Sequence, residues 1–204
     1  MNSICFISSS RADYDLLFHL MRRVNASNDF NFQFVVSGSH FIENQGLTIQ
    51  RIIEDGFEID KEIRFSEGSA NNQIIRNLSS SINDYSEALT DLKPNAVVLL
   101  GDRYEIFGAA ISSFINNIPI IHLHGGELTL SAQDDAFRHS ISKMSTLHFV
   151  AYEIYRKRVI QLGENPDRVF CVGPLVLDNL LKDDFYNRKE LEEILNFKFF
   201  ERNL

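Results

Sequence analysis

At 204 residues the chain is long enough for one domain with a full core, and its formal net charge of −8, with a pI near 5.2, leaves no basic surface to neutralise a phosphate backbone, so a nucleic-acid partner is excluded. Its 44% hydrophobic and 24% charged residues are those of an ordinary globular protein. No apolar run approaches the roughly 20 residues of a bilayer crossing and no basic, apolar, small-residue leader precedes the first strand, so no membrane partner and a cytoplasmic location are expected.

Ile4 to Ser8 reads as a strand covered on both faces, and it runs into Ser8, Ser9, Ser10, Arg11, Ala12, Asp13. Leu16, Leu17, Leu20, Met21 and Val24 then mark an amphipathic helix. A strand that passes through a polar turn into a helix start offers free backbone N–H groups to an anion. Arg11 could add a charged clamp there, with a plain surface arginine as the alternative. Phe32 to Val36 is a second strand ending in Ser37, Gly38, Ser39, His40. Leu47 to Glu54 is a short helix stopped by Gly56, and Phe57 to Ile63 a third strand near the sheet edge. Ser69 to Leu92 carries a long helix closed by Pro94, with an apolar stripe from Ile74 to Leu92.

Val97 to Leu100 is an apolar run ending in Gly101, Asp102, Arg103, and Ile118 to Leu123 is another, ending in His124, Gly125, Gly126, Glu127. Between them Ile106, Ala109, Ala110, Ser113 and Phe114 keep helical spacing, so the segment is one strand, helix, strand crossover. Leu147 to Val150 and Val169 to Val172 are further strands. The helix Tyr152 to Leu162 carries Arg156, Lys157 and Arg158 on a face read as solvated. Leu175 to Leu181 and Arg188 to Leu195 are helices, and Phe197, Phe199, Phe200 form an aromatic cluster in the tail. Cys5 and Cys171 both read as small core residues. The alternation predicts an α/β fold with a doubly wound parallel sheet, whose ligand binds outside the carboxyl ends of the strands.

The stretch from Leu100 to Lys143 holds three of the six histidines and is the site hypothesis. Asp102 either caps the helix that follows or does chemistry. His122 and His124 share parity and are expected on one face. Asp134 and Asp135 open the helix ending near Lys143, where the dipole favours negative charge. Asp135, Arg138, His139 and Ser142 fall on one face of it, and an Asp135–Arg138 pair would account for two of them. Carboxylates converging beside an imidazole suit proton removal and delivery at carbon or at a leaving-group oxygen. Zinc-helix spacing, a dinucleotide fingerprint, a serine elbow and a phosphate-loop lysine are all missing, so no metal and no cofactor is expected.

SRADYDLL, GDRYEIFGAA, IPIIHLHGGELT, DDAFRHSISKMSTLHFV, YRKRVIQLGE and VFCVGPLVLDN together resemble, almost from end to end, the hydrolysing UDP-N-acetylglucosamine 2-epimerases in their bacterial sialic-acid-synthesis branch. The resemblance implies the N-terminal half of a GT-B fold, with residues 1–186 a Rossmann-like domain and 187–204 a junction towards a C-terminal nucleotide-binding domain beyond this chain. It implies a UDP-sugar substrate, N-acetylglucosamine or a 2,4-diacetamido-trideoxy relative, that loses UDP by anti elimination to a glycal and is rehydrated. A homodimer, or pairing with the C-terminal domain, is expected, and little turnover from this half alone. Carried over by position, Asp102, Glu127 and Asp134 would be the acid/base carboxylates, and Arg138 and His139 would support them. Arg11 would help hold the phosphates, and Asp13, Arg103 and Asp135 complete the substrate-binding set. His124 stands where some relatives carry a carboxylate, so either His124 or Glu127 takes that proton-transfer role. Pro174 stands where the family commonly has a small residue. Two other readings stay open: a non-catalytic interaction module that pairs with another chain, and half of a GT-B glycosyltransferase, in which an acceptor replaces water.

Overall fold

The computed structural model describes residues 1–43, 46–68, 70–130, 133–182 and 186–199. Phe200 and the residues after it lie outside that set. Seven parallel strands form one sheet in the order β3-β2-β1-β4-β5-β6-β7: β1 (Asn2–Ser8), β2 (Phe30–Ser37), β3 (Lys61–Ile63), β4 (Ala96–Leu100), β5 (Ile120–Leu123), β6 (Leu147–Val150) and β7 (Val169–Cys171). The helices are α1 (Arg11–Asn25), α2 (Ile49–Glu54), α3 (Asn71–Leu92), α4 (Tyr104–Ile115), α5 (Gln133–Met144), α6 (Glu153–Gln161), α7 (Val176–Lys182) and α8 (Arg188–Leu195). Strand order reverses direction between β1 and β4, and that switch point opens a crevice at the carboxyl ends of both strands.

Alternation along the strands feeds two cores, one on each sheet face. Cys5, Ile7, Val97 and Leu99 pack with Tyr85 and Leu89 of α3 and Ile106 and Ala109 of α4. Phe6, Phe34, Val98 and Leu100 pack with Tyr14, Leu17 and Met21 of α1. The serine run of α3 has a packing reason. A Cβ on Gly108 would sit 2.4 Å from Ser81 Oγ, so small residues on both sides let α3 and α4 approach closely. Among the described residues no helix is long and apolar enough to cross a membrane.

Several expectations need correction. The third strand is only Lys61–Ile63: before it, the Asp60 carboxylate accepts the Phe34 N–H at 2.7 Å in place of a backbone carbonyl, and Phe57 turns into the aromatic core. Cys171 is exposed, unlike Cys5. Arg156 and Arg158 are structural: Arg156 donates to the Val169 carbonyl at 2.8 Å and Arg158 to that of Gly126. His122 and His124 do not share a face. β5 ends at Leu123, and His124 turns away with φ of 62°.

His122 is fully buried and satisfied. Its Nε2–H donates to the Gly101 carbonyl at 2.9 Å, so Nδ1 accepts from the Ser142 hydroxyl at 3.1 Å. Burial pushes its pKa down from 6.5 to about 3, the Gly101 carbonyl opposing and His148, Arg138 and His124 adding to the fall. The unfolded chain therefore binds this proton more readily, and stability is full above pH 6.5 and declines as pH falls towards 3. The urea midpoint is expected to drop between pH 7 and pH 5, and the His122→Asn variant, less stable throughout, to show a shallower drop. An equal drop in both proteins would refute this.

Candidate active site

Each arm of the site begins where a strand of the sheet ends. At β1, Ser10 caps α1 and Asp13 closes the box: its carboxylate accepts from Ser9 N at 3.0 Å, Ser9 Oγ at 2.9 Å, Ser10 N at 3.1 Å and the Ser8 hydroxyl. Of the N–H groups expected to be free for an anion, those of Ser9 and Ser10 are thus taken by the protein's own carboxylate. Asp13, expected among the substrate-binding residues, is buried and organises this turn from beneath. The Ser8 proton goes to Asp13, so Ser8 Oγ accepts from His40 Nε2 at 2.8 Å, and His40 Nδ1 accepts from Thr48 at 2.6 Å. Burial lowers the His40 pKa to about 4, which keeps this relay neutral at its far end. Arg11, by contrast, is exposed at the first position of α1.

At β4, Asp102 is not a helix cap. α4 begins at Tyr104, with Arg103 at the capping position and no side-chain cap bond. The Asp102 carboxylate instead receives Arg138 Nη2 from α5. The Arg138 side chain is 8% exposed and also donates to Thr129 Oγ1 at 3.1 Å, while its Nε and Nη1 are buried with no partner among the described residues. Burial raises the Asp102 pKa, and Asp134 and Glu127 push the same way, together outweighing Arg138 and Arg103. A carboxyl in that position can hold a proton nearer neutral pH than an ordinary aspartate.

At β5, His124 Nδ1 lies 3.1 Å from Glu127 Oε1, and His124 Nε2 is buried without a partner among the described residues. The two glycines between them are there for close approach. A Cβ on Gly125 would meet Ser142 Oγ at 3.0 Å and His122 Nδ1 at 3.1 Å; one on Gly126, at φ of 78°, would meet the Tyr155 carbonyl oxygen at 2.5 Å. Asp135 accepts from Thr129 N at 2.9 Å and faces His139 Nε2 at 3.6 Å, so its partners are not Arg138 as the helix spacing suggested.

Arg103 grips the buried Glu105 with two bonds, at 3.2 and 2.7 Å. Together they line a cleft of about 350 Å³ with Gly38, Ser39, Phe65 and Tyr104. Asp102, Glu127, Asp134, His124 and Arg138 therefore gather at the β4–β5 edge. Arg103 borders the neighbouring cleft, and Asp135 and His139 pair with each other on α5. Sequence reasoning did not single out Thr129 or the Ser8–His40–Thr48 relay, and it placed Ser142 on the face of Asp135 without foreseeing its bond to His122. Thr129 lies in the HGGELT block, but its partners come from α5 and could not be read from spacing. Among the described residues no three His, Cys, Asp or Glu side chains group to hold a metal ion.

Comparison with known proteins gives three findings. A family model described as UDP-N-acetylglucosamine 2-epimerase matches residues 22–203. A Campylobacter jejuni protein named GDP/UDP-N,N'-diacetylbacillosamine 2-epimerase (hydrolyzing) is 42% identical over 96% of this chain and 51% of its own length. Polysialic acid biosynthesis protein P7 of Escherichia coli is 39% identical over 94% of this chain and 49% of its own. This chain thus spans about half the length of the curated relatives it matches. Among solved structures, a Methanocaldococcus jannaschii UDP-GlcNAc 2-epimerase in complex with UDP-GlcNAc and UDP superposes with a TM-score of 0.78 at 18% identity, over 94% of this chain and 51% of that one. The fold is that of a Rossmann-like half of a GT-B architecture.

The Gly126 contact generates a test. Gly126→Ala forces a side chain against a backbone carbonyl at a left-handed position, and is expected to cost about 2 to 4 kcal/mol of unfolding free energy. Urea denaturation measures it, and a loss below about 0.5 kcal/mol would show that the turn is not clamped by α6.

Proposed function

Because the chain belongs to the UDP-N-acetylglucosamine 2-epimerase family, we propose that it carries the acid/base groups of a hydrolysing nucleotide-sugar 2-epimerase. The substrate is a UDP-linked 2-acetamido sugar, either N-acetylglucosamine or a 2,4-diacetamido-trideoxy relative. The products are UDP and the 2-epimeric free sugar, in the synthesis of sialic-acid-like or other surface sugars. One observation carries the reading: at the β4–β5 edge a partly buried carboxyl with a raised pKa is paired with a buried guanidinium and feels two further carboxylates, one of which stands beside an imidazole. Elimination needs a base for the C2 proton and stabilisation of the departing diphosphate, and rehydration from the other face needs an acid. Asp102, Asp134 and the His124–Glu127 pair supply the proton chemistry, and Arg138 has N–H groups with no partner among the described residues. Arg11 and Arg103, at the switch point and in the adjoining cleft, are proposed to meet the phosphates and the sugar.

In this reading residues 1–186 form the catalytic Rossmann-like domain, and 187–204 lead towards a second domain that holds the nucleotide. α8 has no buried residue, and Phe197 and Phe199 are 55% and 38% exposed, which suits a segment that packs on something further. Without the clamp on UDP, turnover is expected to fall at least about 100-fold, since misplacement alone costs that much.

Proton NMR in D2O tests the proposal. The chain, alone and supplemented with a C-terminal half, is given UDP-N-acetylglucosamine or its 2,4-diacetamido-trideoxy counterpart. Free UDP and 2-deuterated, 2-epimerised sugar are expected, at least about 1,000-fold slower in Asp102→Asn. Intact substrate in both preparations with both sugars would defeat the reading. Sugar transferred to an acceptor with no water product would favour a glycosyltransferase.

A further inference from the structure

His124 is held in a conformation that a non-glycine residue adopts at a cost, with φ of 62°, and the structure around it fixes that conformation from several sides. Gly125 lets the turn pack onto His122 and Ser142, Gly126 lies against the Tyr155 carbonyl, and Arg158 of α6 donates to the Gly126 carbonyl. The imidazole is thereby aimed rather than merely placed. Its Nδ1 is 3.1 Å from Glu127 Oε1, and its Nε2 is buried and has no partner among the described residues. A carboxylate at ion-pair distance from Nδ1 favours the proton on that nitrogen, and in that tautomer Nε2 presents a bare lone pair. A buried nitrogen with an unmet lone pair is costly unless a ligand brings it a proton. Glu127 differs on both counts: one oxygen faces the imidazole at ion-pair distance, and its side chain is the wetter of the two, 27% exposed against 16%.

We propose that His124 Nε2 is the base that takes the C2 proton, and that Glu127 is a positioning residue that fixes the Nδ1–H tautomer and balances the imidazolium once it forms. The assignment rests on the function proposed above. In the elimination the C2–H bond breaks, and its electron pair becomes the C1=C2 bond of the glycal. The C1–O bond breaks with its pair going to the UDP oxygen, and the proton resides on His124 Nε2. In the return step Asp102, whose partly buried carboxyl has its pKa raised from the ordinary value by burial, gives a proton to C2 from the other face. Water adds its oxygen at C1 and surrenders a proton to Asp102, and His124 releases its own to solvent. One water is consumed, and no oxidant or metal is needed. His124 thus does as an imidazole–carboxylate pair what a single carboxylate would do, in the manner of a base oriented by a third group.

The test separates tautomer from turnover. Side-chain 1H–15N correlation spectra of the 204-residue protein are expected to show neutral His124 protonated at Nδ1, and to show it switch to Nε2 in Glu127→Ala, with the backbone spectrum reporting that the fold is kept. On the UDP-sugar, His124→Gln is expected to lower kcat about 1,000-fold or more, whereas Glu127→Gln lowers it about 10- to 100-fold with KM within about twofold. An Nε2–H tautomer in the unaltered protein, no switch in Glu127→Ala, or a larger kcat loss in Glu127→Gln than in His124→Gln would each overturn the assignment. If the tautomer and its switch are as stated but no UDP-acetamido sugar is turned over even with a C-terminal half, the reaction falls and C2 with it, while the dyad stands.

Discussion

The ion pair between Asp102 and Arg138 joins the end of β4 to the buried side of α5 across the top of β5, and the rest of that edge is arranged around it. A guanidinium cannot shed its proton, so a buried arginine must be given a carboxylate. Once Asp102 serves that need, Asp134 and Glu127 become like-charge neighbours that, with burial, favour its protonated form. The pair is therefore poised between two demands: Arg138 asks for the anion, and the neighbourhood asks for the acid. Chemistry that alternately charges and discharges a carboxylate fits such a balance.

The two sides of the switch point are built differently. At β1 the turn is closed on itself, since Asp13 fills the N–H groups of Ser9 and Ser10, and the Ser8–His40–Thr48 relay ties it to the segment after β2. At the β4–β5 edge, nitrogen atoms of Arg138 and His124 are left without partners among the described residues. The closed side is scaffold and the open side invites a ligand.

Much of the architecture could be read from apolar runs. Leu147–Val150 and Arg188–Leu195 match the observed elements residue for residue, and the parallel sheet follows from strands buried on both faces. Which residues share the carboxyl edge was legible too, because strand ends mark it. The partnerships were not. Arg138 pairs 36 residues away with Asp102 rather than one turn away with Asp135, a choice made by burial and not by helix spacing. The parity argument for His122 and His124 failed because a histidine does not announce a left-handed backbone; the glycines after it are the only hint. Arg156 and Arg158 looked solvated but satisfy backbone groups brought near by the fold.

His122 has one more consequence, which concerns uniqueness rather than catalysis. Its two ring nitrogens are matched to a carbonyl on one neighbouring segment and a hydroxyl on another, deep beneath the turn that carries His124. A run of aliphatic residues could slide by one position against β4 and bury nearly as much surface. Sliding β5 would strand an imidazole in hydrocarbon and turn every side chain to the opposite face. A polar residue in the centre of the core thus acts as an index mark that admits one alignment of β4, β5 and α5, and it is that alignment which brings Asp102, His124 and Arg138 to the same place.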